Sequence, residues 1–416
     1  MTVQADTKPL FDGPEWTFDI LSSTYDAIED IALNDLGLDP YPNQVEIISA
    51  EQMLDAHSSV GMPLMYHHWS FGKHFVQEEQ MYRKGYSGLA YEIVINSNPC
   101  ISYNMEQNTM PIQALVIAHA AFGHNHFFKN NYLFRQWTDA NSVLDYLEYS
   151  KKFVAQCEEE HGSAAVEQIL DAAHALMDHG VSRYPRPHEP TKKEKKARDD
   201  ELRAYEESTF NDLWRTVPTS DEDNEKSDEP DEAAARLREM NLPEENILFF
   251  IEKHSPVLNG WQRELISIVR YIAQYFYPQR QTKIMNEGCA TFVHHYIINA
   301  LYDKGLLTEG AMLEILHSHS SVVYQPEFDA PGYRGLNPYA LGFGIVKDIE
   351  RICTEPKPED EEWFPDIAGC GDWRTVLKDA WANYRDESFI QQFLSPHMIR
   401  QLKLFSLGDD ASDRHY

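Results

Sequence analysis

Positive charge is scarce in this chain. Its 416 residues carry 36 Lys and Arg against 67 Asp and Glu, a formal net charge of −31. It therefore lacks the clustered cations that nucleic acid or an anionic lipid surface requires, and neither partner is expected. Long apolar runs are missing too, none approaching the roughly 20 residues of a membrane span. The opening MTVQADTKPLFDGPEW has neither the basic start nor the apolar stretch of about 7 to 15 residues that marks a secretory signal. A cytoplasmic location is the expectation. Cysteine is sparse: Cys100, Cys157, Cys289, Cys353 and Cys370 are odd in number and form no CxxC pair, which argues against a disulfide framework and against a thiolate zinc site. No GxGxxG or Walker-type loop is present to cradle a phosphate, and no internal repeat is found.

What remains is a folded composition, 42% hydrophobic and 25% charged, long enough for a large core. Apolar positions recur at helical spacing from Glu15 to Leu36, where Gly37 and Pro40 end the pattern. Gln44 to His57 and Tyr66 to Tyr82 read as further amphipathic helices. Between Leu89 and Met105, YEIVIN and CISYN flank Asn96, Ser97, Asn98 and Pro99 and read as a hairpin. Pro111 then opens an almost wholly apolar, hence buried, helix, and two more helices span Asn141 to Gly162 and Ala164 to His179. Past Tyr184 the composition turns charged, and Thr219 to Glu232 holds eight acidic residues and one lysine. Apolar helices resume near Ile247. The fold class is mainly α (α+β): a helical core with one antiparallel hairpin, able to accommodate a zincin-like helix arrangement. The expected organisation is an N-terminal helical half over 10–185, a charged linker or surface excursion over 186–245, and a C-terminal helical half over 246–410, the two halves forming one unit.

Histidine is the unusual count, with 18. His119, His124 and His126 lie in VIAHAAFGHNHFF, inside the buried helix, where an unpaired polar group costs roughly 1 to 3 kcal/mol. Residues four apart share a helix face, whereas His119 and His124, five apart, diverge by roughly 140°. One residue looped out as a π-bulge at Phe122 or Gly123 would realign them. The string resembles the HExxH helix of zincins with one residue inserted and with Ala120 where the catalytic glutamate would stand. In MNEGCATFVHHYI, Glu287 and His294 are seven apart and fall within roughly 20° on one helix face. NEG followed by Ala is also how gluzincins present a glutamate ligand. Two imidazoles and a carboxylate suit a divalent metal, zinc in first place. The plainer alternatives are core histidines bonded to backbone, and a buried Glu–His link. His174 and His179 form a third pair at a helix end, where His179 can simply cap carbonyls. Together with Glu158 and the first cluster (His119, His124 and His126) they also suggest a dimetal oxidoreductase, ranked last for want of paired ExxH helices. His317, His319, His67, His68 and His74 are expected at the surface or in supporting roles.

The strings YPNQVEIISAEQMLDAHSSVGMPLMYHHWSFGK, AHAAFGHNHFFKNNYLF, MNEGCATFVHH, FPDIAG and FLSPHMIRQLKLF, in this order from Leu10 to about Asp410, resemble the SpoVR-like (stage V sporulation protein R) family. The resemblance implies a role in spore cortex formation or in stress and stationary-phase physiology. It also implies two partners, a PrkA-like serine kinase and a protein with a von Willebrand type A-like domain. Carried over by position, the family's polar residues fall at His119, His124, Asn130, Asn131, His179, Glu287 and His294. Family members usually continue into a further domain beyond the stretch that ends here at Tyr416. The reading reached is a metal-dependent amide hydrolase with His119, His124 and Glu287 as ligands. His294 would orient a ligand or stabilise an oxyanion. The rival is a non-enzymatic effector or scaffold of the kinase pathway.

Overall fold

The computed structural model describes residues 8–59, 65–83, 92–182, 245–328, 330 and 333–405. All but the last residue of the charged excursion expected over 186–245 lies outside them. The described residues fall into two compact units, one drawn from the stretches 1–172 and 271–416, the other from 173–270.

The first unit is mainly helical with a small mixed sheet. The first helix, Phe18–Asp30, is capped by Thr17, whose hydroxyl accepts from the Ile20 amide, and it runs on into a π-helical turn, Ile31–Asp35. Leucine and isoleucine on its inner face (Leu21, Ile28, Ile31) enter the main core. The expected hairpin is present: β2 (Glu92–Ile95) pairs antiparallel with β3 (Cys100–Met105), Ile95 opposite Ile101. A third strand, β1 (Asn43–Ile48), joins β3 in parallel. This corrects the reading of Gln44 to His57 as one amphipathic helix, because NQVEII is a strand and only Ala50–Ser58 is helical. A short run such as NQVEII satisfies either periodicity, and its strand partner lies over fifty positions away.

The sheet order is β1-β3-β2. One face, with Ile48 and Ile93, packs on Met53 and Ala56 of the Ala50–Ser58 helix. The other, with Val94, packs on the main core. That core is organised by two long apolar helices. The histidine helix runs from Met110–Ile117 through a π-helical segment, Ala118–His124, into Asn125–Asn130. The NEG helix spans Lys283–Asp303, its first amides received by the Asp386 carboxylate at 2.9 Å from both Ile284 N and Met285 N. Small residues let the two cross closely: a Cβ on Gly123 would stand 2.5 Å from Ala290 Cα. On the opposite side the NEG helix meets the helix Pro338–Thr354, where Gly288 and Gly342 touch backbone to backbone.

In the second unit Asn246 caps the helix Ile247–His254 and donates to the Gly180 carbonyl at 2.7 Å. Buried Glu252 is paired with Arg270 at 2.9 Å. Among the described residues no helix is long and apolar enough to cross a membrane.

Candidate metal centre

The π-helical segment is the local event that makes the site. Over Ala118–His124 the backbone takes up one more residue per turn than an α-helix, so His119 and His124 return to the same side with their ring centroids 4.6 Å apart. The NEG helix delivers Glu287 against them. Its Oε2 lies 3.9 Å from His119 Nε2 and 3.6 Å from His124 Nε2. Among the described residues these three form the one group whose donor atoms all lie within 4.8 Å of each other.

The spacing separates two explanations. Hydrogen bonds between such atoms would measure about 2.7 to 3.2 Å, and Glu287 Oε2 is buried without any hydrogen-bond partner. Donor atoms about 2.0 to 2.2 Å from a tetrahedral cation stand roughly 3.4 Å apart. The separations of 3.9 and 3.6 Å lie nearer to that spacing than to a hydrogen bond's, and a buried carboxylate oxygen with no donor is one a cation would complete. The donor set therefore fits a divalent metal.

The inner nitrogens are engaged elsewhere, which leaves both Nε2 atoms facing Glu287. His124 Nδ1 donates to Asn286 Oδ1 at 2.9 Å. His119 Nδ1 meets His294 Nδ1 at 2.9 Å, and His294 Nε2 meets His319 Nδ1 at 2.8 Å. With His119 Nε2 left without a proton, as a ligand nitrogen must be, the row is satisfied when His119 donates to His294 and His294 donates to His319. Burial holds His119 and His294 well below the ordinary imidazole pKa, helped by the neighbouring imidazoles His124 and His119 respectively. His319 is lowered by burial as well. The row is therefore neutral, as ligation and this bonding pattern require.

Two further groups border the site. Glu92, at the start of β2, places Oε1 3.8 Å from His119 Nε2. Burial and then the Glu287 charge push its pKa up to about 8. The Tyr339 side chain, near the start of the Pro338–Thr354 helix, has its pKa raised by burial and then by the charges of Glu287 and Glu92. Side-chain exposure is 4% and 10% for His119 and His124 but 16% and 21% for Glu287 and Glu92. The imidazoles thus form the floor and the carboxylates the rim.

The remaining candidates are placed elsewhere. His126 is buried on another side of the histidine helix, its Nδ1 accepting from the Asp39 amide at 3.0 Å. Asn130 donates to the Asp39 carbonyl, and Asn131 caps the next helix while donating to the Trp381 and Tyr384 carbonyls. These three tie the helix to the loops around it. His174 and His179 fall in the second unit, His179 exposed, and neither they nor Glu158 belong to the donor group. His317, His67 and His74 are exposed. His68 is buried with Nε2 3.1 Å from Asp171. His319, expected at the surface or in support, is buried at the end of the imidazole row. Glu92, Asn286 and Tyr339 were not anticipated. The one sequence signal was Asn286 itself, adjoining Glu287 on the same helix.

The core of this helical chain thus holds, on crossing helices, two imidazoles and a carboxylate that could hold a metal ion. The comparisons give the particular kinship. Residues 15–415 match the family described as SpoVR like protein, and the chain belongs to that SpoVR-like family. It is 53% identical over 414 residues to a protein of Escherichia coli (strain K12) that bears the name Uncharacterized protein YcgB, the alignment covering 100% of this chain and 79% of that one. No solved structure matches it.

Proposed function

We propose that the chain is a metal-dependent hydrolase of amide bonds, in a peptide or a peptidoglycan precursor, with His119, His124 and Glu287 holding a divalent metal. Zinc suits this donor set, with iron or manganese as competitors. The observation that carries the reading is the buried, partnerless Glu287 oxygen facing two Nε2 atoms whose rings are fixed from behind. A metal held there would polarise a carbonyl and lower the pKa of a bound water towards about 7. The chain's own residues set the rest: His294 and Asn286 fix the imidazole rings, and β2, paired on one side by β3, offers an edge along which an extended substrate can lie.

The rival reading, a non-catalytic effector, draws its support from Ala120, which is fully buried where a zincin carries its glutamate. The PrkA-like kinase and the von Willebrand type A-like protein belong to either proposal as partners. Elemental analysis of protein purified without a His tag tests the site. About one equivalent of transition metal is expected, falling in Glu287→Gln with the fold retained. Metal far below one equivalent, and not restored by zinc, iron or manganese, would remove the proposal. Release of amine from a peptide library, abolished by chelator and restored by zinc, separates the hydrolase from the effector.

A further inference from the structure

The histidine helix carries no proton acceptor beside its metal-facing imidazoles, since Ala120 is apolar and buried. The sheet supplies one. Along β2 the side chains alternate: Ile93 packs on the Ala50–Ser58 helix, while Val94 packs towards the main core. Glu92 shares the Val94 face and so turns towards the π-helical segment, with Oε1 3.8 Å from His119 Nε2. It stands beside the three-residue donor group and is not one of its members.

We propose that Glu92 is the catalytic carboxylate of this site, a proposal that rests on the hydrolase reading above. Glu92, in its ionised form, takes a proton from a water molecule in the site as the water oxygen bonds to the amide carbonyl carbon. Glu92 then gives the proton to the amide nitrogen as the C–N bond breaks. The products are a carboxylic acid and an amine, and Glu92 is returned to its starting form. Glu92 Oε1, 3.8 Å from the His119 Nε2 that faces the site, is within one water's reach of that nitrogen, the kind of placement this work requires. The glutamate missing from the histidine helix is thus replaced across the site, from the strand that also offers the edge for substrate.

Glu92→Gln in the full chain tests the assignment, with zinc and acetohydroxamic acid as probes. Glu92→Gln is expected to keep one equivalent of zinc at near wild-type affinity. Its affinity for acetohydroxamic acid, which needs a carboxylate to accept its proton, should fall at least tenfold. Amine release should fall by a factor of about 10² to 10⁴. Loss of zinc in Glu92→Gln would make Glu92 a ligand and overturn the assignment. Unchanged hydroxamate binding with zinc retained would make it a bystander and overturn it equally. A wild-type chain that takes up no zinc would sink the underlying reading instead, and that result is told apart by the metal analysis alone.

Discussion

At the scale of single residues, the site depends on groups that never face its centre. Asn286 bonds the back of His124, and His294 bonds the back of His119. Such partners fix ring orientation and tautomer, and removing one typically costs 10- to 100-fold in metal affinity. Asn286→Ala is therefore expected to weaken zinc binding by about that factor while the chain stays folded, as competition with a chromogenic chelator would read. An unchanged affinity would mean that helix packing alone orients His124. His294 is the more demanding position, because its loss leaves both His119 Nδ1 and His319 Nδ1 without their partner in the core. The pair Glu287 and His294 was legible from a spacing of seven in apolar sequence, and His119 and His124 from a spacing of five. Glu92 was not legible. It occupies the first place of a four-residue strand, where a glutamate reads as an ordinary solvated end, and only the fold shows that the strand's inner face ends at the imidazoles.

At the scale of elements, helix crossings set the geometry. The NEG helix lies between the histidine helix and the Pro338–Thr354 helix, with Gly123 on Ala290 on one side and Gly288 on Gly342 on the other. A Cβ on Gly342 would come within 2.1 Å of the Ile284 carbonyl oxygen and 2.9 Å of Gly288 Cα. These neighbours are backbone atoms and cannot rotate aside. Gly342→Ala should thus destabilise the chain by about 1 to 3 kcal/mol, as overpacking does, and should also lower metal affinity by shifting Glu287 and Tyr339 together. Urea unfolding and zinc titration of the same variant check both halves, and full stability would show that the crossing can open without loss. The helices themselves were plain in the sequence because apolar residues on every side leave no other reading than burial. The β1 strand was not, since its pairing with β3 is parallel and distant, and local pattern holds no record of such a partner.

At the scale of the whole molecule, the buried imidazoles make stability depend on pH. Burial, ahead of all other influences, lowers the His126 pKa to about 4, and burial likewise lowers His295 to about 4. In the unfolded chain these groups titrate near 6.5. Between those values the unfolded chain binds protons that the folded chain does not, so stability rises with pH across the window and is lost as pH falls through it. His119, His294 and His319 act in the same direction. With chelator present to remove any metal contribution, the urea midpoint is expected to fall from pH 7 to pH 5. The fall should be shallower in His126→Gln. Equal slopes would show that His126 stays protonated in the folded state or is not buried in solution.

The histidine row and the carboxylate that faces it are also far apart in the order of synthesis. His124 and Asn286 are separated by 162 positions, and His119 and His294 by 175. At about 5 to 20 residues per second on the ribosome, the histidine helix waits roughly 8 to 30 s before the residues that complete it emerge. Through that interval its apolar faces and its imidazoles have neither their packing partner nor their third ligand. Loading of the metal proposed above would thus come only after the NEG helix has emerged, and until then the histidine helix lacks cover for the apolar surface on which the NEG helix later packs.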